Sequence, residues 1–397
     1  MTLSRRHFVQ TVGIGAGAAL TSQIWGRGRE NAIWSAIEPD LQAVERGVIC
    51  IASNENPVGP GQKVLDSLRT LLEGGKKPGR YSGQMGDLTD AITGHYSTYR
   101  VKTENVLLSE GSTEVLRAAT QVFTAKTKPL VGTIPTYEEC AGYAELIGNK
   151  VVGVKLNSEF KIDLDMMLNA AKGAGLVFYC NPNNPTATYV GAKATRDFLT
   201  KLIAASPDTT ILVDEAYFDY VTDPDHETHV PFAIEHPQVI VARTFSKAYG
   251  MAGLRQGYAI AHPETIKKLR MWTASGGTGS LNLFGMSAAT VAIQQDASFT
   301  TNERNRNKQV RDFVTKWFKD RGMKPTDGQA NFMFVDIGTP AKEFREACRA
   351  KGVLVARDFP PFEKTHARIT LGTMAEMQKA VQVFGEVLGK KTSTAAA

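Results

Sequence analysis

The strongest constraint on this chain is a rhythm: from about Ile49 onward, short and almost continuously apolar runs alternate with amphipathic stretches. The runs fall at residues 105–108, 129–133, 151–156, 176–180, 210–213, 239–242 and 256–261. A strand with one face in water alternates apolar and polar residues, whereas a strand covered on both faces does not. Between several of the runs, residues 113–123, 163–172 and 192–205 repeat their apolar side chains at helical spacing. Buried strands separated by helices predict an α/β fold with a mostly parallel central sheet covered by helices.

After residue 280 the pattern changes. A long helical stretch is expected over 281–319, then short strands at 331–337, 353–357 and 368–371, with helices at 341–351 and 374–388. That order reads as a smaller α+β C-terminal domain. The expected organisation is a leader over 1–30, a joining segment over 31–60, a large domain over 61–280, a small domain over 281–390 and a disordered tail over 391–397. At 397 residues the chain can bury a core without staples.

Charge and cysteines narrow the function classes. Of the net charge of +6, half lies in the first thirty residues, and the remainder holds no basic run of the kind that binds nucleic acid. Cys50, Cys140, Cys180 and Cys348 form no CxxC pair, and Cys180, inside an apolar run, reads as a buried inert thiol. His226-Glu227-x-His229 lacks the spacing and third ligand of a metal site and reads as a solvated loop, so no metal is expected. Gly276-Gly277-Thr278-Gly279 has no following lysine and is not a P-loop. No apolar stretch reaches the ~18–20 residues that span a bilayer. Ser4-Arg5-Arg6-His7-Phe8, followed by a weakly apolar segment to Leu20, resembles a twin-arginine (Tat) export signal. The resemblance implies Tat machinery as a partner and the periplasm as the location, with the leader either cleaved or retained.

In an open α/β sheet, ligands bind beyond the carboxyl ends of the strands. After 105–108 comes Ser109-Glu110-Gly111-Ser112-Thr113, and after 176–180 comes Asn181-Pro182-Asn183-Asn184-Pro185-Thr186. After 210–213 comes Asp214-Glu215-Ala216-Tyr217, and after 239–242 comes Arg243-Thr244-Phe245-Ser246-Lys247-Ala248. An amide, an acid with a phenol, hydroxyls with a lysine and a Gly-Ser helix start suit one ligand. Pyridoxal phosphate needs an amine for its aldehyde, an acid for its ring nitrogen, donors for its phenolate oxygen and an anion hole for its phosphate.

Over nearly all of residues 48–390 the sequence resembles the fold-type I pyridoxal-phosphate aminotransferases, and most of all the histidinol-phosphate aminotransferase subgroup. The motifs carrying the likeness are those strand ends together with Asn54-Glu55-Asn56-Pro57-x-Gly59-Pro60, Arg80-Tyr81, Pro135-x-Tyr137, Gly253-Leu254-Arg255-x-Gly257-Tyr258, Ala330-Asn331-Phe332 and Arg368-Ile369-x-x-Gly372-Thr373. The resemblance implies Lys247 as the Schiff-base lysine, Asp214 on the pyridinium nitrogen, Tyr217 and Asn184 on the phenolate oxygen, and Tyr137 stacked on the ring. It places the phosphate on Ser112, Thr113, Thr244, Ser246 and Arg255, with Tyr81 reaching in from the partner of a homodimer. Arg368 and Arg357 would bind substrate anions, and Asn54 would line the substrate entrance. The implied reaction moves an amino group from an amino acid or amino-phosphate donor, histidinol-phosphate-like or aromatic, to a 2-oxo acid such as 2-oxoglutarate. Decarboxylation, oxidation or carbon–carbon bond formation on the same fold stays open, as does a non-catalytic binding protein. Ala187 stands where the subgroup has glycine, so that turn is expected to manage without a positive φ.

Overall fold

The computed structural model describes residues 47–389 except 76, 82–84, 278–280 and 296. The Ser4-Arg5-Arg6-x-Phe8 leader, the 391–397 tail and part of the Gly276–Gly279 motif lie outside the described residues. Seven strands form the main sheet: β2 (Val106–Ser109), β3 (Leu130–Ile134), β4 (Val151–Lys155), β5 (Leu176–Cys180), β6 (Thr210–Asp214), β7 (Val239–Thr244) and β8 (Gly257–Ala261). A short strand, β1 (Ile49–Ile51), precedes them and belongs to a separate sheet. Their order is β2-β8-β7-β6-β5-β3-β4, and β8 alone runs antiparallel to its neighbours.

Strands β5 to β8 are buried along their whole length. Successive side chains enter opposite cores. Val177, Tyr179, Ile211, Val213, Val239 and Val241 pack on one face. Leu176, Phe178, Cys180, Leu212, Ile240 and Ala242 pack on the other, where the Ser112–Phe123 helix adds Val115, Leu116 and Ala119. This double burial is what the unbroken apolar runs require.

The smaller unit holds a three-stranded antiparallel sheet, β12-β10-β9, made of β9 (Lys324–Pro325), β10 (Phe332–Asp336) and β12 (His366–Thr370). Beside it β1 pairs in parallel with β11 (Val353–Val355), so the segment leading to Asn54 is hydrogen-bonded to this unit. Val310, Val314 and Phe318 of the Ser298–Lys319 helix and Phe384 of the Met374–Leu388 helix fill its core.

The single helix expected over 281–319 is two. Asn282 caps a helix over Leu283–Gln294 by accepting from the backbone N–H groups of Phe284 and Gly285. Gln295 turns extended, and a second helix starts at Ser298. The first packs Met286, Ala289 and Ile293 into the core of the main sheet, and the second serves the smaller core. Ala187 is also not as expected. It is buried at φ 61, a left-handed conformation that costs an L residue about 1–2 kcal/mol. Its backbone bonds to Asn183 O and Gln329 N hold it there.

Candidate active site

The adjacent ends of β5, β6 and β7 place Cys180, Asp214 and Ala242 side by side in register. Asp214 is buried, with Oδ1 accepting from Ala216 N at 3.2 Å and Oδ2 facing Cys180 Sγ at 3.7 Å. Burial pushes its pKa up to about 6, and the Ala216 N–H, the Cys180 thiol and the Lys247 charge offset only part of the lost hydration. One residue on, Glu215 differs. Burial opposes its charge, but His229 and Arg243 outweigh that and hold its pKa down to about 2. His229 N and Nδ1, Thr228 Oγ1 and Arg243 Nη1 all reach the Glu215 carboxylate, and Arg243 Nη2 donates to Asp219. This buried network fastens the end of β6 to the end of β7. His229 is therefore not in a solvated loop, and Glu227 of the same motif pairs with Arg196. Among the described residues no cluster of His, Cys, Asp or Glu could hold a metal ion.

Lys247 follows β7. Its Nζ donates to Ser53 O at 3.2 Å and lies 5.7 Å from the Tyr217 ring centre. Burial first, then the Arg368 guanidinium, push its pKa down to about 8. The Tyr217 hydroxyl accepts from Asn54 Nδ2 at 3.1 Å and Asn184 Nδ2 at 3.4 Å. Arg368, on β12, donates from Nη1 to Asn184 Oδ1 at 2.8 Å and from Nη2 to Ala52 O at 2.6 Å. Its Nε is buried without a partner, and no carboxylate pairs with it among the described residues. Burial lowers its pKa to about 10. Such a cation, held only by neutral oxygens, is prepared for an anion.

A second anion cradle sits at the start of the Ser112–Phe123 helix. No side chain caps that N-terminus, which leaves backbone N–H groups and the positive end of the helix dipole available. Gly111 has φ 73, and a Cβ on it would lie 2.5 Å from Arg255 Nη2. A Cβ on Gly257 would meet Ser112 N at 2.5 Å. Arg255 Nη1 donates to Ser246 Oγ at 3.3 Å, and Thr244 Oγ1 accepts from Ser246 N at 3.1 Å. Ser112, Thr113, Thr244, Ser246 and Arg255 thus converge. Half-buried Tyr137 stands nearby, its pKa raised to about 12 by burial first and then by Glu139.

Two sequence candidates stand apart from this cluster. Tyr81 is 97% exposed and contributes nothing to the site of its own chain. Arg357 reaches the pocket rim, stacked over Phe359 with Arg368, but its guanidinium is paired with Glu138. Other site contacts carry no motif: the Ala52 and Ser53 carbonyls, the Cys180 thiol on Asp214, and Thr370. Phe332, which ends the Ala330-Asn331-Phe332 motif, lies edge-on to Tyr217 at 4.9 Å. Cys180 is buried as expected, yet it touches the acid that the site is built around.

An acid beside a lysine of lowered pKa, phenol and amide donors, and a glycine-lined anion cradle are the donor set that pyridoxal phosphate requires. Fold and donor set define a fold-type I pyridoxal-phosphate enzyme. The family model for aminotransferase class I and II matches residues 46–384. A histidinol-phosphate aminotransferase of Moorella thermoacetica is 32% identical over 346 residues, covering 86% of each chain. One from Bacillus subtilis is 29% identical, covering 86% of this chain and 92% of its own. The solved histidinol-phosphate aminotransferase of Sinorhizobium meliloti in complex with pyridoxal-5'-phosphate superimposes with a TM-score of 0.77 at 25% identity, covering 92% and 98%. The chain belongs to the class I and II aminotransferases, and its cofactor is pyridoxal phosphate.

Proposed function

We propose that Lys247, Asp214 and Tyr217 carry the transamination and that the donor is an amino acid or amino phosphate whose anion binds Arg368. Bound here, pyridoxal phosphate supplies an aldehyde that condenses with amines and a ring that stores the electron pair of a broken Cα–H bond. The Asp214 carboxylate would pair with the ring nitrogen and keep it protonated. Tyr217 and Asn184 would serve the ring's phenolate oxygen, and Tyr137 would cover the ring face. Ser112, Thr113, Thr244, Ser246 and Arg255 would hold the phosphate. Nζ of Lys247 would hold the cofactor's aldehyde carbon at rest and, when free, would serve as the base that accepts and gives back the proton of the donor's α-carbon.

The observation that carries this reading is the lysine itself: a buried amine bonded to the Ser53 carbonyl, its pKa pushed down to about 8. The charges of Asp214 and of Arg368, which has no carboxylate partner among the described residues, both act on it. A general base works best with a pKa close to the working pH. Purified protein is expected to be yellow. Lys247→Ala should lose the visible band of the bound cofactor and about 10²–10⁴-fold in turnover. Normal turnover by that variant would refute the assignment. A panel of donors with 2-oxoglutarate, histidinol phosphate and aromatic amino acids included, ranked by kcat/KM, identifies the substrate.

The working unit is a homodimer with Tyr81 of each chain reaching the partner's phosphate cradle, a role that suits its exposure. The protein reaches the periplasm through the Tat route, which carries folded, cofactor-loaded cargo. Its support is Ser4-Arg5-Arg6-x-Phe8 with the weakly apolar segment behind it. Replacing Arg5 and Arg6 with Lys should move the protein from the periplasmic to the cytoplasmic fraction. Cytoplasmic wild type with an intact leader would end the export reading and leave the transaminase reading standing.

A further inference from the structure

Three successive residues after β1 each touch a different group of the site. The Ala52 carbonyl accepts from Arg368, the Ser53 carbonyl accepts from Lys247, and Asn54 Nδ2 donates to the Tyr217 hydroxyl. Asn54 is buried at φ 56, in a region that L residues avoid. Two residues of the smaller unit hold it there. Thr370 Oγ1 accepts from Asn54 N at 2.9 Å and donates to Asn54 Oδ1 at 2.9 Å. Asn331 Nδ2 donates to Asn54 O at 2.9 Å.

We propose that Thr370 is a positioning residue which, through Asn54, fixes the Tyr217 hydroxyl as a hydrogen-bond donor toward the cofactor's ring oxygen. The inventory of donors and acceptors leads there. The one proton of Thr370 is committed to Asn54 Oδ1, so the other end of that amide, which can only donate, is turned to Tyr217. The Asn184 amide is oriented in the same sense, since its Oδ1 is taken by Arg368. The Tyr217 oxygen therefore receives two amide donors. Its own proton has no acceptor among the described residues. That proton is reserved for an acceptor the protein does not supply. A phenol free to rotate could accept from or donate to a ligand, whereas this one already accepts from two amides and has its proton left to offer. Arg368 and Thr370, two residues apart on β12, share a face, so one strand sets both amides.

This inference rests on pyridoxal phosphate occupying the site, and its test needs no turnover. Wild type, Thr370→Val and Thr370→Ser are loaded with pyridoxal phosphate, and the visible absorbance is titrated with pH. Valine keeps the shape without the proton, and serine keeps the hydroxyl. A donor on the ring oxygen favours the ionised chromophore, so its loss should raise the midpoint of the titration by about half to one pH unit in Thr370→Val. Thr370→Ser should titrate like wild type. Asn54→Gly, which takes a positive φ without strain, should shift in the same direction even if the valine variant folds poorly. In a Tyr217→Phe background Thr370→Val should leave the midpoint where it was. An unmoved midpoint in both Thr370→Val and Asn54→Gly overturns the relay alone, as does a shift that persists without the phenol. Absence of a visible band in wild type overturns the cofactor reading, and the relay with it.

Discussion

Burial moves Asp214 and Lys247 in opposite directions for one reason: each loses hydration of its charged form. Asp214 goes from 3.8 up to about 6, and Lys247 from 10.5 down to about 8. In the cofactor-free chain both are costs that the cofactor's charges relieve. Between about pH 4 and 6 the folded chain holds a proton on Asp214 that the unfolded chain has released, so stability falls as pH rises through that interval. Above it the whole cost remains, about 3 kcal/mol at 1.36 kcal/mol per pKa unit. Asp214→Asn should therefore stabilise the cofactor-free protein by about 2–3 kcal/mol at pH 7.5 in denaturant titrations. At pH 4, where the native carboxyl is already protonated, the gain should vanish. Equal gains at both values would show that packing, not ionisation, sets the effect. The same variant should bind pyridoxal phosphate weakly, since the ring nitrogen loses its anion.

At the scale of the elements, the cradle exists because β8 begins with a residue that has no side chain. Gly257 lies opposite Ser109 on β2 and Thr244 on β7, wedged under the first turn of the Ser112–Phe123 helix. A methyl there would meet Ser112 N at 2.5 Å, Gly111 C at 2.6 Å and Arg243 O at 2.9 Å, all backbone atoms that cannot rotate away. Gly257→Ala should cost about 3 kcal/mol and push the helix start from the phosphate position. Cofactor affinity should drop together with Tm, and affinity unchanged by this variant would separate the helix start from the phosphate site. Most of this architecture is legible in the sequence because it is local. Runs such as 176–180 needed only continuous apolar burial, and the site residues follow them directly. The break between Leu283–Gln294 and Ser298–Lys319 carries no Pro or Gly; it arises because the two halves are buried in different cores. β9 is two residues with a proline and has no periodicity to read. Thr370 lies 316 residues from Asn54, so its place at the site comes from packing alone.

For the whole molecule, the smaller unit reaches the cofactor site through a strap and through its own sheet. Residues 52–54 bridge β1, bonded to β11, and the groups on the main sheet, while Arg368 and Thr370 come from β12. Tyr81 is left over, 97% exposed although the family motif puts it at the phosphate. A two-fold dimer resolves this if each chain lends its tyrosine to the other. Tyr81→Ala and Lys247→Ala then damage different parts of the same site from different chains. Each homodimer should be nearly inactive with two faulty sites. Unfolded together and refolded at equal ratio, half of the dimers should be hybrids. One site of each hybrid combines the intact Lys247 of the first variant with the intact Tyr81 of the second. Random pairing therefore predicts recovery of about a quarter of wild-type activity. If the mixture stays at the level of the two parents while sizing shows hybrid dimers, Tyr81 serves its own chain and the shared-site arrangement is wrong.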